Sequence, residues 1–171
     1  MMGNESFVRL SKLFREELLK LVGEECWGVV GGVGTGSIIR LSIGKKFLRD
    51  RPVENSHIGN EERMYSASLG FMISCPWRIE NEFEVFCGSH HTNESHGPYK
   101  DGFNQIRGQK IIQIICENPS FDLSLKFENA VVLKIHCSSI GVDADECYSF
   151  RSSRGWFEIG FDGRIALING S

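Results

Sequence analysis

Cysteine and histidine side chains together are the donors zinc prefers. Cys87, His90, His91 and His96 fall close together in "CGSHHTNESHGPYKDG", residues 87–102. Their spacing matches no zinc pattern, and adjacent histidines rarely reach one ion, so a solvated polar loop is expected and no metal ligand is assigned. Nucleophilic catalysis needs a serine or cysteine beside a base. No G-x-S-x-G occurs, and His136 and Cys137, adjacent in a strand, point to opposite faces. Glu80, Glu82 and Glu84 alternate in "IENEFEVF". Paired carboxylates serve glycoside chemistry, but the solvent face of a half-buried strand, with a bulge near Asn81, accounts for these three. Asp143, Asp145 and Glu146 lack the D-x-[DN]-x-[DN]-G pattern of a calcium loop. They read as an acidic turn, or as a contact surface for a basic partner.

The run "GGVGTGS", Gly31–Ser37, suggests a phosphate cradle. A Walker loop requires lysine after Gly36, and Ser37 stands there; a dinucleotide fingerprint requires glycine at 37. Phosphate loops also open helices. This one opens "SIIRLSIG", whose alternation is that of a strand. A hairpin turn is the expectation, with glycine supplying positive φ.

The elements that position these residues follow from periodicity. Phe7, Leu10, Phe14, Leu18 and Leu21 recur at steps of three and four, which predicts an amphipathic helix over 4–21. Beyond it the chain reads as strand. "LVGEECWGVV" matches "IRGQKIIQII"; Ile39, Leu41 and Ile43 match Leu123, Leu125 and Phe127; "SLGFMISC" matches "AVVLKIHC". Two repeated three-stranded meanders are expected, in β units over 22–86 and 104–140. The first carries an insertion over 49–66. Asp162-Gly163 predicts a type I′ turn within C-terminal strands over 147–168. The fold class is therefore α+β and mostly antiparallel β: one domain over 1–171, with the helix packed on a sheet or sheets of two meanders plus a C-terminal hairpin.

The chain has 171 residues, enough for one core, and a net charge of −3, which argues against a nucleic-acid binder. No leader and no apolar stretch long enough to span a bilayer is visible, so the chain reads as cytoplasmic, with no membrane contact. Its six cysteines form no C-x-x-C pair. Cys26, Cys75, Cys116 and Cys137 read as reduced core residues. Trp27, Trp77 and Trp156 are candidate interface anchors.

"LVGEECWGVVGGVGTGSIIRLSIGKK", Arg51-Pro52-x-Glu54-Asn55, "SCPWRIE" and "FDLSLKFENAVVLKIHC" resemble a family of small bacterial cytosolic proteins over about residues 18–160. Its members share a helix, a glycine-rich hairpin, a C/A-W-R strand and a D-L-x-L-x-F strand. Some proteins of this type act as immunity proteins in toxin–immunity systems, including contact-dependent growth inhibition. The resemblance implies a protein that occludes the active site of a cognate toxin, a nuclease, without cofactor, metal or catalytic residues. An acidic patch would meet the toxin's basic cleft. The expected contact residues are Arg49, Asp50, Arg51, Glu54, Glu61 and Glu62 in the insertion, with Asp143, Asp145 and Glu146 in the acidic turn. The alternatives are a small metal-dependent hydrolase using the histidine loop and a non-catalytic adaptor subunit.

Overall fold

A computed structural model describes residues 4–32, 34–138 and 146–169. It begins with helix α1 (Asn4–Leu19), which stops two residues earlier than its apolar stripe predicts because Lys20–Gly23 turn away. Gly23 takes φ 89° there, and its amide donates to the Ile111 carbonyl at 2.7 Å. A glycine in the left-handed region is the common way to end a helix. Phe14 lies 5.4–6.5 Å, ring to ring, from Phe121, Tyr148, Phe150 and Phe157.

Next come β1 (Glu25–Gly32), β2 (Gly36–Leu48), the short helix α2 (Asn60–Met64), β3 (Tyr65–Ile73), β4 (Trp77–Glu80) and β5 (Val85–Gly88). Helix α3 (Tyr99–Ile106) leads into β6 (Gln109–Cys116), β7 (Leu123–Phe127) and β8 (Val132–Ile135). The C-terminal strands are β9 (Tyr148–Ser152), β10 (Gly155–Ile159) and β11 (Ile165–Ile168). All join one antiparallel sheet in the order β11-β10-β9-β3-β2-β1-β6-β7-β8-β4-β5. The protein is thus α+β with a dominant antiparallel sheet.

The glycine run is a hairpin turn between β1 and β2, with Gly32, Gly34 and Gly36 all at positive φ. Two capping bonds hold it: the Asn93 amide Nδ2 donates to the carbonyls of Gly32 (2.9 Å) and Gly36 (3.1 Å). The alternating apolar residues do set register. Ile39, Leu41 and Ile43 of β2 stand opposite Ile73, Phe71 and Leu69 of β3. Leu123 and Leu125 of β7 stand opposite Ile135 and Leu133 of β8, and the Phe127 amide donates to the Val131 carbonyl. These side chains share one buried cluster with Phe14, Trp77 and Phe103.

Several expectations need correction. The 49–66 insertion is shorter than predicted and carries a helix: β2 extends to Leu48, α2 occupies Asn60–Met64, and β3 starts at Tyr65. β4 and β5, placed by sequence with the first unit, lie at the far edge beside β8. Residues 99–106, read as loop and strand, are helix α3; Tyr99, Phe103 and Ile106 form its buried stripe around Gly102. The Glu80–Glu84 stretch is a hairpin turn rather than one bulged strand. Asn81 causes it, since its Oδ1 accepts from the amides of both Phe83 and Glu84. The β10–β11 turn is also wider than type I′. Gly160 and Arg164 bond across it, and only Gly163 takes positive φ there.

Candidate functional site

The segment carrying six of the expected contact residues is an arm. Past a bulge between Ile43 and Lys46, β2 and β3 pair on through Phe47↔Ser66 and Leu48↔Tyr65. Phe47 and Leu48 are 52% and 66% exposed, so this end of the hairpin projects beyond the core. The connection then folds back on itself. The Arg49 amide donates to Met64 O (2.9 Å) and its Nε to Tyr65 O (3.0 Å). The Val53 amide donates to Arg63 O, and Arg63 Nε donates to Val53 O, each at 3.0 Å. Asp50, Arg51, Glu54 and Glu61 are left exposed, and Arg49 is half-buried.

Glu61 pairs with Lys46, whose ammonium also lies 5.1 Å over the ring of Trp27. Glu62 is the correction in this set. It is 5% exposed, and its carboxylate lies 3.5 Å from Arg107 Nη2, which also donates to Val29 O at 2.8 Å. It fastens α2 to the sheet and presents nothing to a partner. Successive helix residues are rotated by about 100°, so the adjacent glutamates point in different directions, and here Glu62 faces inward. Beneath α2, burial and then the charge of Arg49 lower the pKa of Arg40, while Glu62 opposes them. Arg40 Nε and Trp27 Nε1 are buried there without hydrogen-bond partners.

Asp143 and Asp145 lie outside the described residues. Glu146 is half-buried, and desolvation raises its carboxyl pKa. Of the tryptophans, Trp27 and Trp77 are 3% and 2% exposed and cannot be surface anchors, whereas Trp156 is half-buried. Trp77 is fixed in the core by its indole, which donates to Ser37 O at 2.7 Å.

The structure does not assemble the histidine loop into a site. Cys87 is fully buried, and its thiol packs against the backbone of Gly102 in α3. His90, His91 and His96 are exposed. His91 Nδ1 accepts from the Gly88 amide at 3.0 Å, and His96 lies 3.3 Å from Glu94.

Three cysteines come together elsewhere. Cys75 follows β3, Cys137 follows β8, and Cys147 precedes β9. Their sulfurs all lie within 4.8 Å of one another, and among the described residues this is the only group of three or more metal-competent side chains so arranged. Each cysteine is held by its backbone. The amides of Ser74 and Cys75 both donate to Cys147 O at 2.9 Å. The Cys147 amide donates to Ile159 O at 2.7 Å, and the Cys137 amide to Asp122 Oδ1 at 2.8 Å. Hydrogen bonds from the Cys137 and Cys75 thiols hold the Cys147 thiol below the usual range, against burial. Its two neighbours are correspondingly pushed up. The Cys137 thiol also donates to the Phe121 carbonyl at 3.7 Å. Sequence reading placed Cys75 and Cys137 in the core, which is correct, but missed the cluster. The signal it held was the cysteine closing both "SLGFMISC" and "AVVLKIHC"; nothing local pointed to Cys147.

A shallow groove of about 510 Å³ runs along the outer side of α1, between Phe7, Val8, Leu19 and Pro119. Among the described residues no helix is long and apolar enough to cross a membrane. Comparisons with known proteins found no matching family model, no similar curated protein and no similar solved structure.

Proposed function

We propose that this chain is a non-catalytic protein of the bacterial cytoplasm that neutralises a cognate toxin, a nuclease, by covering its active site. The observation that carries this reading is the β2–β3 arm. It sets two exposed apolar side chains, Phe47 and Leu48, beside exposed Asp50, Glu54 and Glu61. Apolar anchors inside a charged rim are the usual anatomy of a protein-binding surface. The carboxylates suit a partner whose own substrate is a polyanion. The resemblance to small immunity proteins supports the same reading. The hydrolase alternative loses its support, since the histidine loop and Cys87 do not converge.

The reading extends to the architecture. The β1–β3 and β6–β8 meanders are taken as one unit used twice, with α1 laid over the core they share. The matched registers of β2–β3 and β7–β8 support this.

The test is capture of the tagged protein from its native host, with partners identified by mass spectrometry. One dominant partner is expected, toxic when expressed alone and harmless beside this protein. Phe47→Ala with Glu54→Lys should weaken its binding. A partner whose affinity ignores those changes would remove the arm from the interface. Absence of any toxic partner would overturn the reading itself.

A further inference from the structure

The thiol cluster lies where the two halves of the sheet meet. β3 passes into β4 through Ser74–Pro76, and β4 pairs with β8, so one short stretch of chain links the β9 side of the sheet to the β8 side. Cys75, Cys137 and Cys147 occupy this seam and are 5%, 7% and 2% exposed. A disulfide would use two of the three and leave the third without a role. The distances suit a different chemistry. Three sulfurs each about 2.3 Å from a central ion stand about 4 Å apart. The observed sulfurs, all within 4.8 Å of one another, stand near that spacing on a backbone held by hydrogen bonds.

We propose that Cys75, Cys137 and Cys147 form a binding site for one thiophilic closed-shell cation, Zn(II) or Cu(I), that staples the seam between β3, β8 and β9. The donor set is all sulfur, since no carboxylate or imidazole among the described residues joins the group. Thiolate donors select these ions over calcium, magnesium or manganese. Each thiol gives up its proton as its metal–sulfur bond forms. These protons leave to solvent, with no change of oxidation state. Two nearby carboxylates, Asp122 and Asp162, act on the charge of Cys147. They favour the dication, which leaves one net negative charge on three thiolates where Cu(I) leaves two. Because the ligands come from three separate elements, the ion binds the folded chain more tightly than the unfolded one, and so raises its stability. This site is independent of the toxin-neutralising reading.

The experiment uses the full chain, reduced and stripped of metal under anaerobic conditions. Zn(II) alone or Cu(I) alone is added, excess is removed by desalting, and metal content and X-ray absorption at the metal edge are measured. One equivalent retained, with three sulfurs in the first shell at about 2.3 Å, is the expected result. Thermal unfolding should shift upward with the ion. Competition between equal amounts of the two ions then names the occupant, and either winner supports the site. Cys147→Ser should weaken binding at least about tenfold, while Cys116→Ser leaves it unchanged. Circular dichroism checks that each variant is folded, and the absorption result on the unmodified chain stands without them. Failure to retain either ion, a first shell of nitrogen or oxygen, or full retention in a folded Cys75→Ser/Cys147→Ser double variant would overturn the proposal.

Discussion

The β1–β3 and β6–β8 meanders answer the same problem with different connections. In both, alternate apolar residues of the second and third strands stand opposite one another and enter one core. In β6–β8 the last turn is short: Ala130 N donates to Phe127 O, and Asn129 Oδ1 accepts from the Val131 amide. In β1–β3 the corresponding turn grows into an arm with its own helix and four exposed charged residues. The inward face fixes register and tolerates little. The far end of a hairpin carries no such constraint, and that is where the two meanders differ.

The first way to test the comparison is to empty the core on each side. Leu41→Ala and Leu125→Ala remove side chains 1% and 0% exposed. Each should cost about 2–5 kcal/mol in urea unfolding, and by similar amounts if both meanders belong to one cooperative core. A loss confined to one probe or one half of the sheet would separate them.

A subtler contrast lies one residue further on. Gly70 of β3 stands opposite Ser42 and Val132 of β8 opposite Lys126, but a Cβ at Gly70 would press into the carbonyl oxygen of Leu41. Gly70→Val should therefore destabilise by about 1–3 kcal/mol through overpacking. Val132→Gly should cost about 1 kcal/mol, the ordinary penalty of glycine in a strand. Equal costs would mean that the close approach at Gly70 is relaxed in solution.

Each half also has its own carboxylate tether. Burial alone would raise the Glu17 carboxyl, but hydrogen bonds from Lys20, Arg154 and Ser153 bring it below its usual value. It ties α1 to the β9–β10 turn. Burial likewise opposes, and Lys134 and Arg78 outweigh it, at Glu80, which ties β4 to β8. A folded pKa below the unfolded one gives stability that is present above the ordinary carboxylate range and lost as pH falls through the depressed value. Glu17→Gln should cost about 1 kcal/mol at neutral pH, since Lys20 and Arg154 are half exposed and screened. It should also flatten the acid limb of a stability–pH curve. Glu80→Gln should do the same more weakly, its side chain being 13% exposed against 2%. The smallest effect belongs to the arm: Glu54→Lys should change unfolding by less than about 0.5 kcal/mol while lowering partner affinity.

What was legible in the sequence follows the range of the signal. Ile39, Leu41 and Ile43, and the glycines after Gly31, speak through alternation and turn chemistry within a few residues, and their strands and hairpin are where the sequence predicts. Helix α3 was hidden because Gly102, a poor helix former, sits in its middle, yet that glycine is what lets Cys87 pack against it. The pairing of β1 with β6 and of β3 with β9 has no local pattern. The same is true of the three thiols, whose meeting depends on how β3, β8 and β9 end. Glu61 and Glu62 look alike in sequence and differ only by the rotation of one helical residue.

The strand order also has a consequence for how the chain is made. β1 has its outer neighbour in β6, which begins at Gln109, and β3 has its outer neighbour in β9, which begins at Tyr148. The first meander therefore leaves the ribosome with both flanks bare. At about 5–20 residues per second they stay bare for several seconds. Unpaired strand flanks are templates for neighbouring chains. Crowded polysomes are the setting in which this protein should need a chaperone most, and its yield should fall as translation is driven harder.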